Sequence, residues 1–238
     1  MKYKLDLHCH SIASDGSLSM LQLAMLAKKV GLDGLVLTDH CRPNNANQSN
    51  EVVLETLLAK SDLYSIPLPV PIIIGSEIRT PYGEFLLFGK KACKQWDYYK
   101  DQLDMVSKKF GVEQYWDMFS NFVLHKLCCS RGKMFLNVQV NSPLAYALAI
   151  CHPREIDLSW CKHMPKFFWN IVHGFEIQNA NEHYDELKPE VINFFKEHIP
   201  KYKALRNSDC HSDELGMAFN EMELKEVSEN QIIHWFRS

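Results

Sequence analysis

Short apolar runs that stop at a histidine or a carboxylate recur along this chain. Tyr3 to Leu7 runs into His8-Cys9-His10, with Ser14-Asp15-Gly16 just beyond. Gly34 to Leu37 stops at Thr38-Asp39-His40, Ile72 to Ile74 at Gly75-Ser76-Glu77, and Leu148 to Ile150 at Cys151-His152-Pro153. Glu176 lies inside the run Gly174 to Ile177, and Ser208-Asp209-Cys210-His211 follows Tyr202 to Leu205. Runs of this length bounded by turn-forming residues predict strands. Glu84 to Phe88 predicts another, in a hairpin with Ile72 to Ile78 around Pro81-Tyr82-Gly83.

Helical spacing fills the intervals. Leu18, Leu21, Leu23, Ala24, Leu26, Ala27 and Val30 share one face, and Gly31 stands where a helix is expected to stop. Glu51 to Leu63, Glu186 to His198 and Gln231 to Phe236 read as further helices. Alternation of strands with helices predicts a parallel sheet. Polar groups at the ends of many different strands predict a closed barrel, because one barrel face gathers all those ends. The segment Trp96 to Ala147 is long, aromatic and helical in pattern. It reads as an insertion, either a helical pair packed outside or a cap over the mouth.

The chemistry at those strand ends follows from side-chain geometry. Residues two apart on a strand point to the same face, so His8 and His10 present two imidazoles together. Two imidazoles with a nearby carboxylate are ligands suited to a divalent transition metal. With eleven histidines in 238 residues, one His-x-His can arise by chance; its repetition at the ends of apolar runs does not follow from chance. His125, His163, His173, His198 and His234 read as ordinary histidines, as does His183, although it lies beside the polar turn Asn179-Ala-Asn181.

Composition narrows the class. A chain of 238 residues with 46% hydrophobic content can fill one large α/β domain. A net charge of −3 gives no broad basic surface for nucleic acid. No apolar stretch is long enough to span a bilayer. The eight cysteines form no tidy framework, and no signal peptide precedes them, which predicts reduced thiols and a cytoplasmic protein.

Several of these motifs together resemble a known family. Asp6-Leu-His8-Cys-His10-Ser11, Ser14-Asp15-Gly16, Gly31-Leu-Asp33 and Leu37-Thr-Asp39-His40 are similar to the opening motifs of the PHP (polymerase and histidinol phosphatase) family. Gly75-Ser-Glu77, His152-Pro153 and Ser208-Asp209-Cys-His211 follow in the family order. The resemblance covers residues 3 to about 220, outside Trp96 to Ala147. It implies a single PHP domain over residues 1–238, a distorted seven-stranded (β/α) barrel like a TIM barrel, two or three divalent metal ions, and hydrolysis of a phosphoester by a metal-activated hydroxide. By this resemblance, His8, His10, Glu77 and Asp209 hold a first metal. Glu77 bridges to a second, bound also by His152, and Asp15, His40 and His211 hold a third. Asp15, Glu77 and Asp209 are then the catalytic carboxylates. Asp6 and Asp39 either accept from a ligand imidazole or cap a strand-end loop.

One position departs from the family pattern. Where many members carry a histidine after the bridging glutamate, this chain has Glu84, in Gly83-Glu84-Phe85-Leu86-Leu87-Phe88-Gly89. Glu84 then either ligates the second metal, making that site harder and more anionic, or faces solvent from the hairpin. The metals implied are Mn, Zn or Fe. Cys9 and Cys210 each lie between ligand positions, so alternation turns them away into packing.

Phosphate recognition favours the planar fork of arginine. Arg154, Arg42 and Arg79 each follow closely on a ligand position, so they are the candidate substrate-binding residues. The expected activity is hydrolysis of a small-molecule or nucleotide phosphoester. The alternatives are a nuclease acting on nucleic-acid ends, a non-catalytic binding module of the same fold, and a metal hydrolase acting on a carbonyl centre. Neither a membrane partner nor an oligomeric state is implied.

Overall fold

The computed structural model describes residues 1–40, 67–80, 83–93, 146–153, 166–181, 187–199 and 201–238, with side chains omitted at 79, 80, 166 and 167. The expected helix over Glu51 to Leu63, the insertion from Trp96, and residues Arg42, Arg154, His125, His163 and His183 lie outside these residues.

Eight strands form one mixed sheet: β1 (Lys2–Cys9), β2 (Gly34–Leu37), β3 (Ile72–Thr80), β4 (Gly83–Phe88), β5 (Ala147–Cys151), β6 (Gly174–Asn179), β7 (Lys203–Asn207) and β8 (Asn220–Glu223). Among the described residues the complete helices are α1 (Met20–Val30), α2 (Lys166–Trp169), α3 (Pro189–His198) and α4 (Glu229–Arg237). The strand order is β7-β6-β5-β4-β3-β2-β1-β8. Pairing is parallel across β1–β2–β3 and β5–β6–β7, and antiparallel around β4 and at β8. The sheet is therefore mixed, where strand–helix alternation predicts a parallel one. The hairpin is the reason: a tight turn cannot supply the crossover that a parallel partner needs.

The two ends of the sheet approach each other, which makes it barrel-shaped and nearly closed. Cys9 bridges Cys210, and His10 N donates to Cys210 O at 2.9 Å. Asn220, on β8, accepts from Arg206 N at 3.0 Å and donates to Arg206 O at 2.8 Å. An asparagine side chain thus mimics a backbone partner at the seam. Strand β8 alternates buried and exposed residues but carries one apolar side chain, Met222, so no apolar run announces it.

Three apolar clusters hold the layers. Leu5, Leu7, Val36, Leu86, Ala149 and Leu205 meet Met222 and the Ile232, Ile233 and Phe236 face of α4. A second cluster packs Phe85, Leu148, Ile150 and Phe175 against Phe168 and Phe195. The third packs Cys9, Leu35, Leu37 and Cys210 against Leu23, Ala24 and Ala27 of α1. The cysteines beside the ligand positions are thus core residues, as alternation predicts. Among the described residues no helix is long and apolar enough to cross a membrane.

Helix α1 shows how local chemistry sets an element. Ser19 accepts from Gln22 N while the Gln22 side chain accepts from Ser19 N, a capping box that starts the helix at Met20. At the other end Gly31 takes φ 82°, and its N–H closes on Ala27 O and Lys28 O. The chain leaves this cap directly into β2.

Candidate metal centre

The strand ends converge. His8 lies at the end of β1 and His10 just beyond it, where the register against β2 shifts between Asp6 and Cys9. Such irregularities re-aim side chains and gather beside active sites. The two imidazoles lie with Nε2 atoms 3.1 Å apart, as the two-residue spacing predicts. Glu77 Oε2 lies 3.5 Å from His8 Nε2 and 3.1 Å from His10 Nε2. Asp209 Oδ1 lies 3.3 and 3.4 Å from the same two nitrogens. Residues from β1, β3 and the end of β7 therefore meet around one point.

Two further groups adjoin this one. Glu77 Oε1 lies 3.2 Å from His152 Nε2, which is 3.7 Å from Glu84 Oε2 and 3.7 Å from Asp209 Oδ2. Glu84 is buried and faces His152, so it is not the solvent-facing hairpin residue. On the other flank, Asp15 Oδ2 lies 3.0 Å from His40 Nε2, and Asp15 Oδ1 lies 3.4 Å from both His211 Nε2 and His10 Nδ1. The ligand atoms of His10, Asp15, His40 and His211 all fall within 4.8 Å of one another, as do those of His8, Glu77 and His152, and those of His8, His10 and Asp209. The geometry thus adds His10 to the Asp15 group and His8 to the His152 group. Both are additions to the sets that the family resemblance implies.

The loop carrying Asp15 is held tightly. A Cβ on Gly16 would collide with the backbone of His10 and Ser11. Asp39 accepts from Ser11 N at 2.7 Å, Ser11 Oγ at 2.8 Å and Ser14 Oγ at 2.6 Å. Ser14 Oγ in turn lies 3.3 Å from His10 Nδ1, so Asp39 reaches that imidazole only through a hydroxyl. Asp6 accepts from His8 N and from both the backbone and the hydroxyl of Ser208. Both carboxylates therefore clamp strand-end loops rather than receive an imidazole N–H directly. Burial lifts the Asp6 carboxyl to about 7 against those hydrogen bonds.

The carboxylate that does receive an imidazole is Glu176. Its Oε1 accepts from His8 Nδ1 at 2.8 Å and from Asn207 Nδ2 at 2.7 Å, and its Oε2 accepts from His152 N at 3.1 Å. The sequence signal was a charged residue flanked by Phe175 and Ile177 in a strand otherwise suited to full burial. A histidine, an asparagine and a backbone amide are its partners. Asn179 and Asn181 donate to Asp209 Oδ2 at 3.1 and 3.3 Å, so they support that carboxylate. Arg79 is placed on β3 opposite Glu84 by backbone register alone.

Protonation in this cluster is mutual. Burial alone would push the His10 imidazole down, but the Asp209 and Glu77 carboxylates outweigh it and lift it to about 9. His8, fully buried, is likewise raised by Asp209, Glu176 and Glu77. Burial works against ionisation of Glu77 and Asp209, yet the neighbouring imidazoles hold both below the usual carboxylate range. The cluster is thus an assembly of acceptors that demands positive charge. Among the described residues two buried oxygens, Glu77 Oε2 and Asp209 Oδ1, make no well-formed hydrogen bond, although imidazole nitrogens stand close to both. A buried acceptor without a donor is costly, and divalent cations satisfy this donor set of imidazole nitrogens and carboxylate oxygens. Backbone strain marks the same place. His152 and Asp209 take φ values of 46° and 52°, in the left-handed region that L-residues seldom occupy.

The thiols do not share this chemistry. Cys151 Sγ donates to Glu77 Oε1 at 3.4 Å, and burial pushes the Cys9 and Cys151 thiols well up and that of Cys210 to about 12. All three are free, buried and protonated.

No family model and no curated protein matches this chain. Solved structures that share its fold include two from bacteria. One is a two-domain protein from Bacteroides vulgatus containing a predicted PHP-like metal-dependent phosphoesterase, at 18% identity and a TM-score of 0.54. The match covers 90% of this chain but 53% of that protein, so the chain spans about half of its length. The other is PsfC from Pseudomonas syringae, at 14% identity and a TM-score of 0.56, covering 98% of this chain and 88% of that one. The resemblance to the PHP family that the motifs carry thus extends to the fold.

Proposed function

We propose that this chain is a metal-dependent phosphoesterase that hydrolyses a small phosphorylated substrate. The observation that carries the reading is the meeting of His8 Nε2, His10 Nε2, Glu77 Oε2 and Asp209 Oδ1 within 3.5 Å, with neither oxygen in a well-formed hydrogen bond among the described residues. The predicted PHP-like phosphoesterase in the Bacteroides protein supports it. The barrel wall is then β1 to β7, a distorted seven-stranded barrel with β8 filling the seam. Residues 1–238 act as one domain.

His8, His10, Glu77 and Asp209 would hold one ion. His152 with Glu84 would hold a second, and Asp15, His40 and His211 a third. Glu77 directs one oxygen to each of the first two groups, which suits a bridging carboxylate. Such ions, Mn, Zn or Fe, supply charge against the phosphoryl oxygens and lower the pKa of water from about 15.7 towards about 7 at a favourable zinc. The chain does the rest. Asp15 is half-exposed and its carboxyl is held low by the His40, His10 and His211 imidazoles against burial, so it stays ionised at the mouth. Asp39, through Ser11 and Ser14, fixes the loop that carries it. Arg42, Arg79 and Arg154 would be the residues that bind the phosphate. The near-neutral chain charge suits a small substrate better than a polymer of phosphates.

The test is metal analysis paired with hydrolysis of a monoester, a diester and a short oligonucleotide. Mn-stimulated hydrolysis, abolished in Asp209→Ala, is expected. Full activity in the chelated protein overturns the reading.

A further inference from the structure

We propose that Glu176 is the positioning residue of this centre, and that it locks two of the ligand groups through a single carboxylate. The inference rests on the metal reading above and extends it to a residue that no ligand motif includes. Glu176 is fully buried, and its oxygens meet three N–H groups: His8 Nδ1, Asn207 Nδ2 and the backbone amide of His152. No lysine or arginine is among these partners.

Its first effect is on the tautomer of His8. A proton on Nδ1 directed at Glu176 leaves the Nε2 lone pair facing His10, Glu77 and Asp209. An imidazole can ligate through Nε2 only when that nitrogen is bare, and a carboxylate on the opposite nitrogen also raises its donor strength. Its second effect is on the backbone at His152. The amide bonded to Oε2 belongs to a residue at φ 46°, a conformation that needs support from its surroundings. One side chain on β6 therefore sets the ring of a β1 residue and the turn that delivers the imidazole beyond β5.

The acceptor count makes this testable. Glutamine is nearly isosteric but offers one oxygen and one NH2 group. With the oxygen towards His8 and Asn207, the NH2 faces the His152 amide, donor against donor. Flipped, the NH2 faces His8 Nδ1 and drives the proton onto Nε2, where it blocks ligation. Neither orientation reproduces three accepted hydrogen bonds.

The experiment titrates Zn2+ into the full chain, wild type and Glu176→Gln, and follows bound metal together with the imidazole resonances of His8 in long-range 15N–1H spectra. In zinc-loaded wild type, His8 is expected to keep a proton on Nδ1 and bind through Nε2. Glu176→Gln is expected to weaken Zn2+ binding roughly 10- to 100-fold while circular dichroism is kept. Equal Zn2+ affinity in variant and wild type overturns the positioning role while leaving the metal reading intact. Should the variant fail to fold, the wild-type spectrum decides alone: zinc on Nδ1 of His8 overturns the proposal. Wild type that takes up no Zn2+ removes the metal reading itself, and this inference with it.

Discussion

At the scale of single residues, protons and metal ions compete for the same atoms. His8 and His10 are raised by the carboxylates around them, His10 to about 9, so both carry protons at neutral pH until something else supplies the charge. Zinc uptake at pH 7 is therefore expected to release protons, and to grow tighter as pH rises towards 9. Calorimetry in two buffers of different ionisation enthalpy measures the release directly. A buffer-independent heat would contradict it. A histidine outside the centre behaves oppositely. Burial and the nearby Arg237 hold His173 down to about 4, and its Nδ1 accepts from Leu148 N, a bond that needs the neutral ring. The unfolded chain takes up that proton near pH 6.5 and the folded chain only near pH 4. The neutral imidazole thus contributes stability above pH 6.5 that is lost as pH falls to about 4. The loss is about 3 kcal/mol. In His173→Asn, where Oδ1 can replace Nδ1 as acceptor, denaturant melts across this window are expected to show a loss smaller by that amount.

At the scale of elements, the loop after β1 is the most constrained piece of the centre. Gly16→Ala pushes a Cβ into the His10 and Ser11 backbone and must displace Asp15. Zinc binding by the His10, Asp15, His40 and His211 group is expected to fall at least tenfold in this variant. Bound-metal analysis measures that loss, and an unchanged metal content would show that the loop yields without cost to the ligands. Helix α1 makes a simpler prediction. Ser19→Ala removes the capping box and is expected to cost about 1 kcal/mol in chemical denaturation without altering metal content.

Elements also show what the sequence could reveal. Strands β1, β2, β3, β5 and β7 and helix α1 were legible because each has a plain apolar run or stripe with a turn signal at its end. The ligand positions were legible for the same reason, since a histidine stands out where an apolar run stops. Strand β8 was not legible, because Asn220, Glu221 and Glu223 flank one methionine and the burial of Asn220 depends on its partners across the seam. The role of Glu176 was hidden too. A charge inside an apolar run announces a buried partner, but its identity lies in β1 and β7, 168 and 31 residues away in sequence. Asp6 and Asp39 were legible as supporting residues; what they support became visible only with the loops in place.

At the scale of the whole molecule, the centre gathers β1, β2, β3, β5 and β7 and lies beside the seam where the sheet ends meet. Cations bound to the folded chain alone would stabilise it by mass action, about 2.7 kcal/mol at a hundredfold excess over the dissociation constant. Chelation is therefore expected to lower the thermal midpoint, and restored Zn2+ or Mn2+ to raise it. The shift should vanish in Asp209→Ala. An equal shift in that variant would place the stabilising ion elsewhere.

The left-handed turns at His152 and Asp209 carry one more consequence. Glycine occupies that region without strain, whereas these two residues hold it against a preference of about 1 kcal/mol or more each. Breeding this barrel for heat resistance alone should therefore drift towards glycine at both turns, yielding sturdier descendants that have forgotten their chemistry.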